Sequence, residues 1–280
     1  MATQSRGRRA HEPRGEFVSD VETLRADLVA EQNALDEVVA NISAERWRLG
    51  TPSPGWSVAD QVGHLAYFDD AARVAIENPI QFQKSIEDLM NGAGATSLDE
   101  YTLARYRAMS PEELLAVWRA NRAALSIAAL ALEDATRVAW YGPSMGAASF
   151  LAARLMETWA HGTDVAEALG ERIEPSERIE HIVRLGYLTR HWSYRVRGEE
   201  PPEGSVRVEV QGPSGETWIF GPEHAEDTVR GSAEDFCLVV TQRRHLDDTA
   251  LVTGELGRHW LLRAQAFAGG PSEGPAKRTP

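Results

Sequence analysis

Two stretches of this chain carry side chains able to hold a metal ion. The first is Gly55-Trp56-Ser57-Val58-Ala59-Asp60-Gln61-Val62-Gly63-His64-Leu65. The second is Arg154-Leu155-Met156-Glu157-Thr158-Trp159-Ala160-His161-Gly162-Thr163-Asp164. Glu157 and His161 stand four apart, so on a helix both leave the same face. His64, on a second helix facing the first, would add a third donor. Two imidazoles and one carboxylate with a fourth position open is the layout of a catalytic zinc centre rather than a closed structural one. Spacing alone also admits a plainer reading. Glu–His pairs at this interval are common on helix surfaces, and His64 can be an ordinary interior histidine. His11, His181, His191, His224, His245 and His259 offer no comparable spacing.

Other groups surround these three. Asp60 and Asp164 lie within a helical turn of His64 and His161, where each can accept the N–H of a ligating imidazole. Asp60 fits a helix cap equally well, and Asp164 a solvated helix end. Arg154 shares the stripe of Glu157 and His161 and can grip a substrate carboxylate; a salt bridge at the bundle edge is the competing reading. Trp56, just before the helix of His64, is a candidate pocket wall. Arg243 and Arg244 form a basic cluster with His245, and a solvated helix end is the plain reading for at least one of them. Cys237, between Phe236 and Leu238, reads as a buried small hydrophobe. No phosphate-cradling glycine loop and no Ser-His-Asp nucleophile motif is visible.

The elements that must position these residues are helices over the first two-thirds of the chain. Leu24, Leu28, Leu35, Val38, Val39 and Ile42 recur at three- and four-residue steps and predict one helix over 18–47. Gly50 to Gly55 is a loop rich in Gly and Pro. Ser57, with Asp60 three residues on, starts a second helix that Pro79 ends. Residues 91–97 read as a loop and a short helix begins near Leu98. Ser110-Pro111-Glu112-Glu113 opens a third long helix. A fourth runs over 147–169, with Gly170 as its C-terminal cap. The fold class is therefore mainly α, a four-helix bundle over 17–172. A connector helix over 175–196 leads into a small α+β domain ending near residue 270. Within it, residues 205–210 and 217–220 form a hairpin, residues 229–235 a strand entering a helix, and residues 258–267 a last helix. Residues 1–16 and 271–280 read as tails.

The 280 residues carry a formal charge of −13 and a sequence pI near 5.1. That balance argues against nucleic-acid or anionic-membrane binding. No apolar run approaches the ~20 residues of a membrane helix. The basic N-terminus, with Arg6, Arg8, Arg9 and Arg14, lacks the apolar stretch of a signal peptide. One cysteine allows no internal disulfide, which fits a reducing cytoplasm.

The first stretch resembles the Gly-Trp-(Ser/Thr)-x-x-Asp-x-x-x-His-Leu signature of the DinB-like superfamily, in particular its mycothiol-dependent maleylpyruvate isomerase branch. Glu157-x-x-x-His161-x-x-Asp164 is similar to that branch's second metal motif, in which a glutamate replaces one histidine of the usual triad. Residues 236–245 resemble part of the small domain that follows the bundle there. The resemblance implies a divalent metal, zinc in most members, held by His64, Glu157 and His161. It implies mycothiol as co-substrate, an electrophilic metabolite as second substrate, and an arginine, Arg243 or Arg244, facing the metal from the second domain. The function expected is a metal- and thiol-dependent isomerase or S-transferase. The alternatives are a thiol-independent metal enzyme that activates water and a non-catalytic metal-stabilised binding module.

Overall fold

The computed structural model describes residues 20–92 and 98–278. The predicted N-terminal tail and most of the predicted loop over 91–97 lie outside these. In chain order the elements are α1 (Val21–Val39), α2 (Ala44–Trp47), α3 (Val58–Glu77), α4 (Pro79–Gly92), α5 (Leu98–Arg107), α6 (Pro111–Ala128), β1 (Arg137–Val138), β2 (Met145–Gly146), α7 (Ala147–Leu169), α8 (Glu180–Leu188), α9 (Arg190–Arg195), β3 (Val206–Gln211), β4 (Thr217–Phe220), β5 (Asp227–Ser232), α10 (Ala233–Val240) and α11 (Glu255–Leu261).

Helices α1, α3, α6 and α7 form the bundle, with α1 and α3 both against α7 and α6 against α3. Local chemistry sets their starts. The Ser57 hydroxyl takes the Asp60 N–H while the Asp60 carboxylate takes the Ser57 N–H, a reciprocal capping box. Ser110 and Glu113 do the same for α6, behind Pro111. Helix α7 is buried on nearly every side, so its apolar residues show no clean stripe. Gly63, one residue before His64, lets α5 approach α3 closely; a Cβ there would sit 3.0 Å from the Tyr106 Cβ.

Several boundaries differ from expectation. The helix expected over 18–47 is two, because the chain leaves helical geometry after Ala40 and restarts behind Ser43 as α2. Pro79 does end α3, but it also begins α4, since the missing proline N–H costs nothing in a first helical turn. The connector helix is interrupted at Thr189, between α8 and α9. The last helix begins and ends earlier than expected. Residues 111–131 are long and apolar enough, by length and composition, to cross a membrane. Arg119 and Arg122 interrupt that segment, so it does not read as an unbroken apolar run. Here it is α6 and its 3-10 extension, with Leu114, Leu115, Trp118 and Leu125 buried and both arginines on Asp36 of α1.

The C-terminal sheet has the order β4-β3-β5, with β4 antiparallel and β5 parallel to β3. Val206, Val208 and Val210 face inward while Arg207 and Glu209 pair outward. These valines share one continuous core with α1, α7, α8 and α10. Residues 271–278, expected as a free tail, are pinned to the body: Arg278 reaches Glu167 and Asp248, and Ser272 accepts from Gln242.

Candidate metal centre

His64 from the second turn of α3 and Glu157 and His161 from the middle of α7 converge because these two helices face each other. Glu157 Oε2 lies 3.2 Å from His161 Nε2 and 3.7 Å from His64 Nε2. Among the described residues, these three are the cluster whose donor atoms could share one ion, all within 4.8 Å of one another. A tetrahedral ion with bonds near 2.0–2.1 Å sets its ligands about 3.3 Å apart, so the donor set fits zinc. His64 and Glu157 keep part of their surface exposed, at 18% and 22%, while His161 is buried. Solvent therefore reaches His64 and Glu157 more readily than His161.

The protonation states favour ligation. Burial alone would raise the Glu157 carboxyl, but the imidazoles of His161 and His64 against it outweigh burial and hold the group well below the carboxylate range. Burial, with His64 and Arg243 nearby, pushes His161 down to about 3. His161 is thus a neutral imidazole and Glu157 an anion near pH 7, the forms a metal needs.

The tautomer of His161 is set by a residue that sequence reasoning did not single out. His161 Nδ1 hydrogen-bonds the Gln61 carbonyl Oε1. A carbonyl only accepts, so Nδ1 carries the proton and Nε2 presents its lone pair toward Glu157 and His64. Gln61 is itself fixed, donating from Nε2 to Thr51 Oγ1 at 2.8 Å and to Asp164 Oδ2 at 3.4 Å. Asp164 also accepts from Ser53 Oγ at 2.9 Å and Arg243 Nε at 3.2 Å. Asp164 therefore contacts Gln61 and not the His161 ring itself.

Asp60 lies elsewhere. Its carboxylate caps α3 and accepts from Arg107 Nε at 2.7 Å, so the capping alternative describes it and no bond to His64 is formed. Arg154 is turned into the core, where Nη2 donates to Asp69 Oδ1 at 2.8 Å with both side chains buried. It cannot anchor a substrate there. Of the arginine pair, Arg243 comes beside the centre. Gln242 takes a left-handed conformation (φ 58°) after α10, and the turn carries Arg243 onto Asp164. Arg244 points past it to Glu167, 3.7 Å away, outside the centre.

Trp56 lies beside both imidazoles. Pro54 and Gly55, the latter with φ 79°, form the middle of a type II-like turn closed by Trp56 N–H to Ser53 O at 3.1 Å. The Trp56 ring then stacks on His161 at 5.8 Å and lies tilted to His64 at 5.2 Å, with its N–H on Asp99. Phe68 packs on the other side of His64, 4.5 Å away. Cys237 is fully buried, with its thiol pushed well up by burial, and takes no part.

Known proteins share parts of this sequence and its fold. The family described as the mycothiol maleylpyruvate isomerase N-terminal domain matches residues 28–166, which contain all three candidate ligands. A family described as wyosine base formation matches residues 202–253, covering β3 to β5 and α10. Two uncharacterized proteins from two strains of Mycobacterium tuberculosis are each 45% identical over 252 residues, covering 89% of this chain and 96% of their own length. Crystal structures of the mycothiol-dependent maleylpyruvate isomerase and of its histidine-to-alanine mutant superpose with TM-scores of 0.56 and 0.57, at 17% and 16% identity, over 84% of this chain and 92% of theirs. The fold is shared with those structures, and the chain belongs to the mycothiol-dependent maleylpyruvate isomerase-like branch of the DinB-like superfamily.

Proposed function

We propose that this protein is a metal-dependent enzyme that uses mycothiol to act on a small electrophilic metabolite, as an isomerase or an S-transferase. The observation that carries the reading is the convergence of His64, Glu157 and His161 on one partly exposed point. Family membership supplies the thiol. The chain's lone cysteine supports an external one, since Cys237 is sealed in the core and its thiol is held protonated. When bound, the metal supplies a Lewis-acidic centre that lowers a thiol's pKa and presents it as a thiolate at neutral pH.

The remaining tasks fall to this chain's own residues. Gln61 holds the His161 proton on Nδ1 and so keeps Nε2 free. Glu157 and His161 bring the metal-ready protonation states described above. Trp56 and Phe68 flank the imidazoles and exclude water from their faces. Arg243, beside Asp164, contributes a positive charge at the border between the bundle and the C-terminal segment. A thiolate adding to an electrophilic carbon can leave again after bond rotation, which isomerises the substrate, or displace another group, which transfers the sulfur.

The test is metal analysis of purified protein together with mycothiol titration before and after His64→Ala. About one zinc per chain, with thiol binding lost in the variant, is the expected result. Wild-type protein that binds no divalent metal would sink the reading. Metal without thiol affinity would favour water activation instead.

A further inference from the structure

Aromatic rings flank the metal centre, and the arginines described near it each have a partner. Phe68, on His64, meets Tyr141 edge-on at 5.5 Å and Trp140 at 6.3 Å, and Tyr67 packs against Phe68 at 5.0 Å. These four rings and Trp56 are each partly exposed, unlike the core rings behind them. Phe82 and Phe150, fully buried, stack on and abut Trp140 at 5.4 and 5.1 Å and hold the wall in place. The wall is thus a fixed apolar surface beginning at a metal ligand.

The arginines described around it already have partners. Arg154 is buried on Asp69, Arg107 is bound to Asp60, and Arg243 is held by Asp164. Arg244 turns to Glu167, and Arg105 lies over the Tyr106 ring. Asp99 stands on the Trp56 N–H, and Glu157 is one of the proposed ligands. Beyond the metal and its ligands, a substrate with two carboxylates would meet Asp99 and no uncommitted arginine from this set. An uncharged ring would find stacking partners on a preformed surface.

We infer that the second substrate is an uncharged aromatic or otherwise apolar electrophile, not a dicarboxylate of the maleylpyruvate kind. The inference rests on the proposed metal- and thiol-dependent reading and names the substrate class of that site.

A matched pair of non-reacting probes isolates the charge: dimethyl phthalate and the phthalate dianion, titrated into zinc-loaded full-length protein. Chemical shifts of the Trp56 and Trp140 indole N–H groups report binding at the wall. The expected result is that the ester binds at least tenfold more tightly than the dianion and shifts both indoles. Phe68→Leu should weaken ester binding several-fold, whereas Trp56→Phe, which keeps a ring, should weaken it less. Equal or tighter binding of the dianion overturns the inference, as does failure of the ester to bind. A parallel titration with mycothiol separates the two readings: ester binding without mycothiol binding removes the thiol and leaves the apolar subsite standing.

Discussion

Gln61 decides the chemistry of His161 although nothing in its own position advertises that role. It stands three residues before His64 on α3, and its partner His161 is 100 residues away. Replacing it with Leu removes the acceptor that keeps the proton on Nδ1, and frees the ring to take the other tautomer. Outer contacts of this kind are worth 10- to 100-fold in metal affinity. Gln61→Leu is therefore expected to lower zinc affinity by about that range in a chelator competition, with nitrogen-detected NMR showing mixed His161 tautomers in the metal-free protein. Gln61→Glu, which still accepts, should recover the Nδ1–H tautomer. An unchanged affinity and tautomer in Gln61→Leu would remove its positioning role. Asp60 shows the opposite relation between sequence and place. Its interval to His64 suits an imidazole partner, yet it is also three residues from Ser57, and the capping box closes within one turn.

Among the elements, α7 carries most of the difference between what the sequence suggests and what the fold does. Arg154, Glu157 and His161 share a stripe, but a stripe on a helix buried on nearly all sides need not open to one cavity. Glu157 and His161 meet His64 of α3, while Arg154, a turn earlier, meets Asp69 deeper along α3. Burial pushes the Asp69 carboxyl up, and Arg154 opposes this only in part. Removing one partner of such a buried pair leaves a charge without compensation, which costs about 3–5 kcal/mol. Arg154→Met should lose about that much in urea unfolding. Arg154→Met with Asp69→Leu should recover much of it, because apolar replacement of both partners removes the unpaired charge. A substrate anchor would behave differently, raising KM with stability unchanged.

For the whole molecule, the sequence suggests a bundle followed by a separate small domain, whereas the cores run together. Valines of β3 and side chains of α10 pack in the same cluster as α1 and α7, and Asp164–Arg243, Glu31–Arg178 and Glu167–Arg278 tie the surfaces. A shared apolar core couples the two parts, so they should unfold in one transition. Far-ultraviolet dichroism and tryptophan fluorescence are expected to give the same urea midpoint; two resolved midpoints would show independent domains. The sequence by itself determined the starts of α3 and α6, which depend on Ser57, Ser110 and their acidic partners a turn away, and the spacing of the candidate triad, whose donors are few and recognisable. It also determined the β3–β4 hairpin and the strand-to-helix passage at β5, through alternation and turn residues. Only the tertiary structure decided which neighbours of the triad serve it. Gln61, Asp164 and Arg243 were brought in and Arg154, Asp60 and Arg244 sent elsewhere. Local hydrogen bonds and helical periodicity act over a few residues and can be read along the chain. A side chain's partner across a helix interface depends on how the two helices are rotated and aligned, and that is fixed by the packing of the whole core.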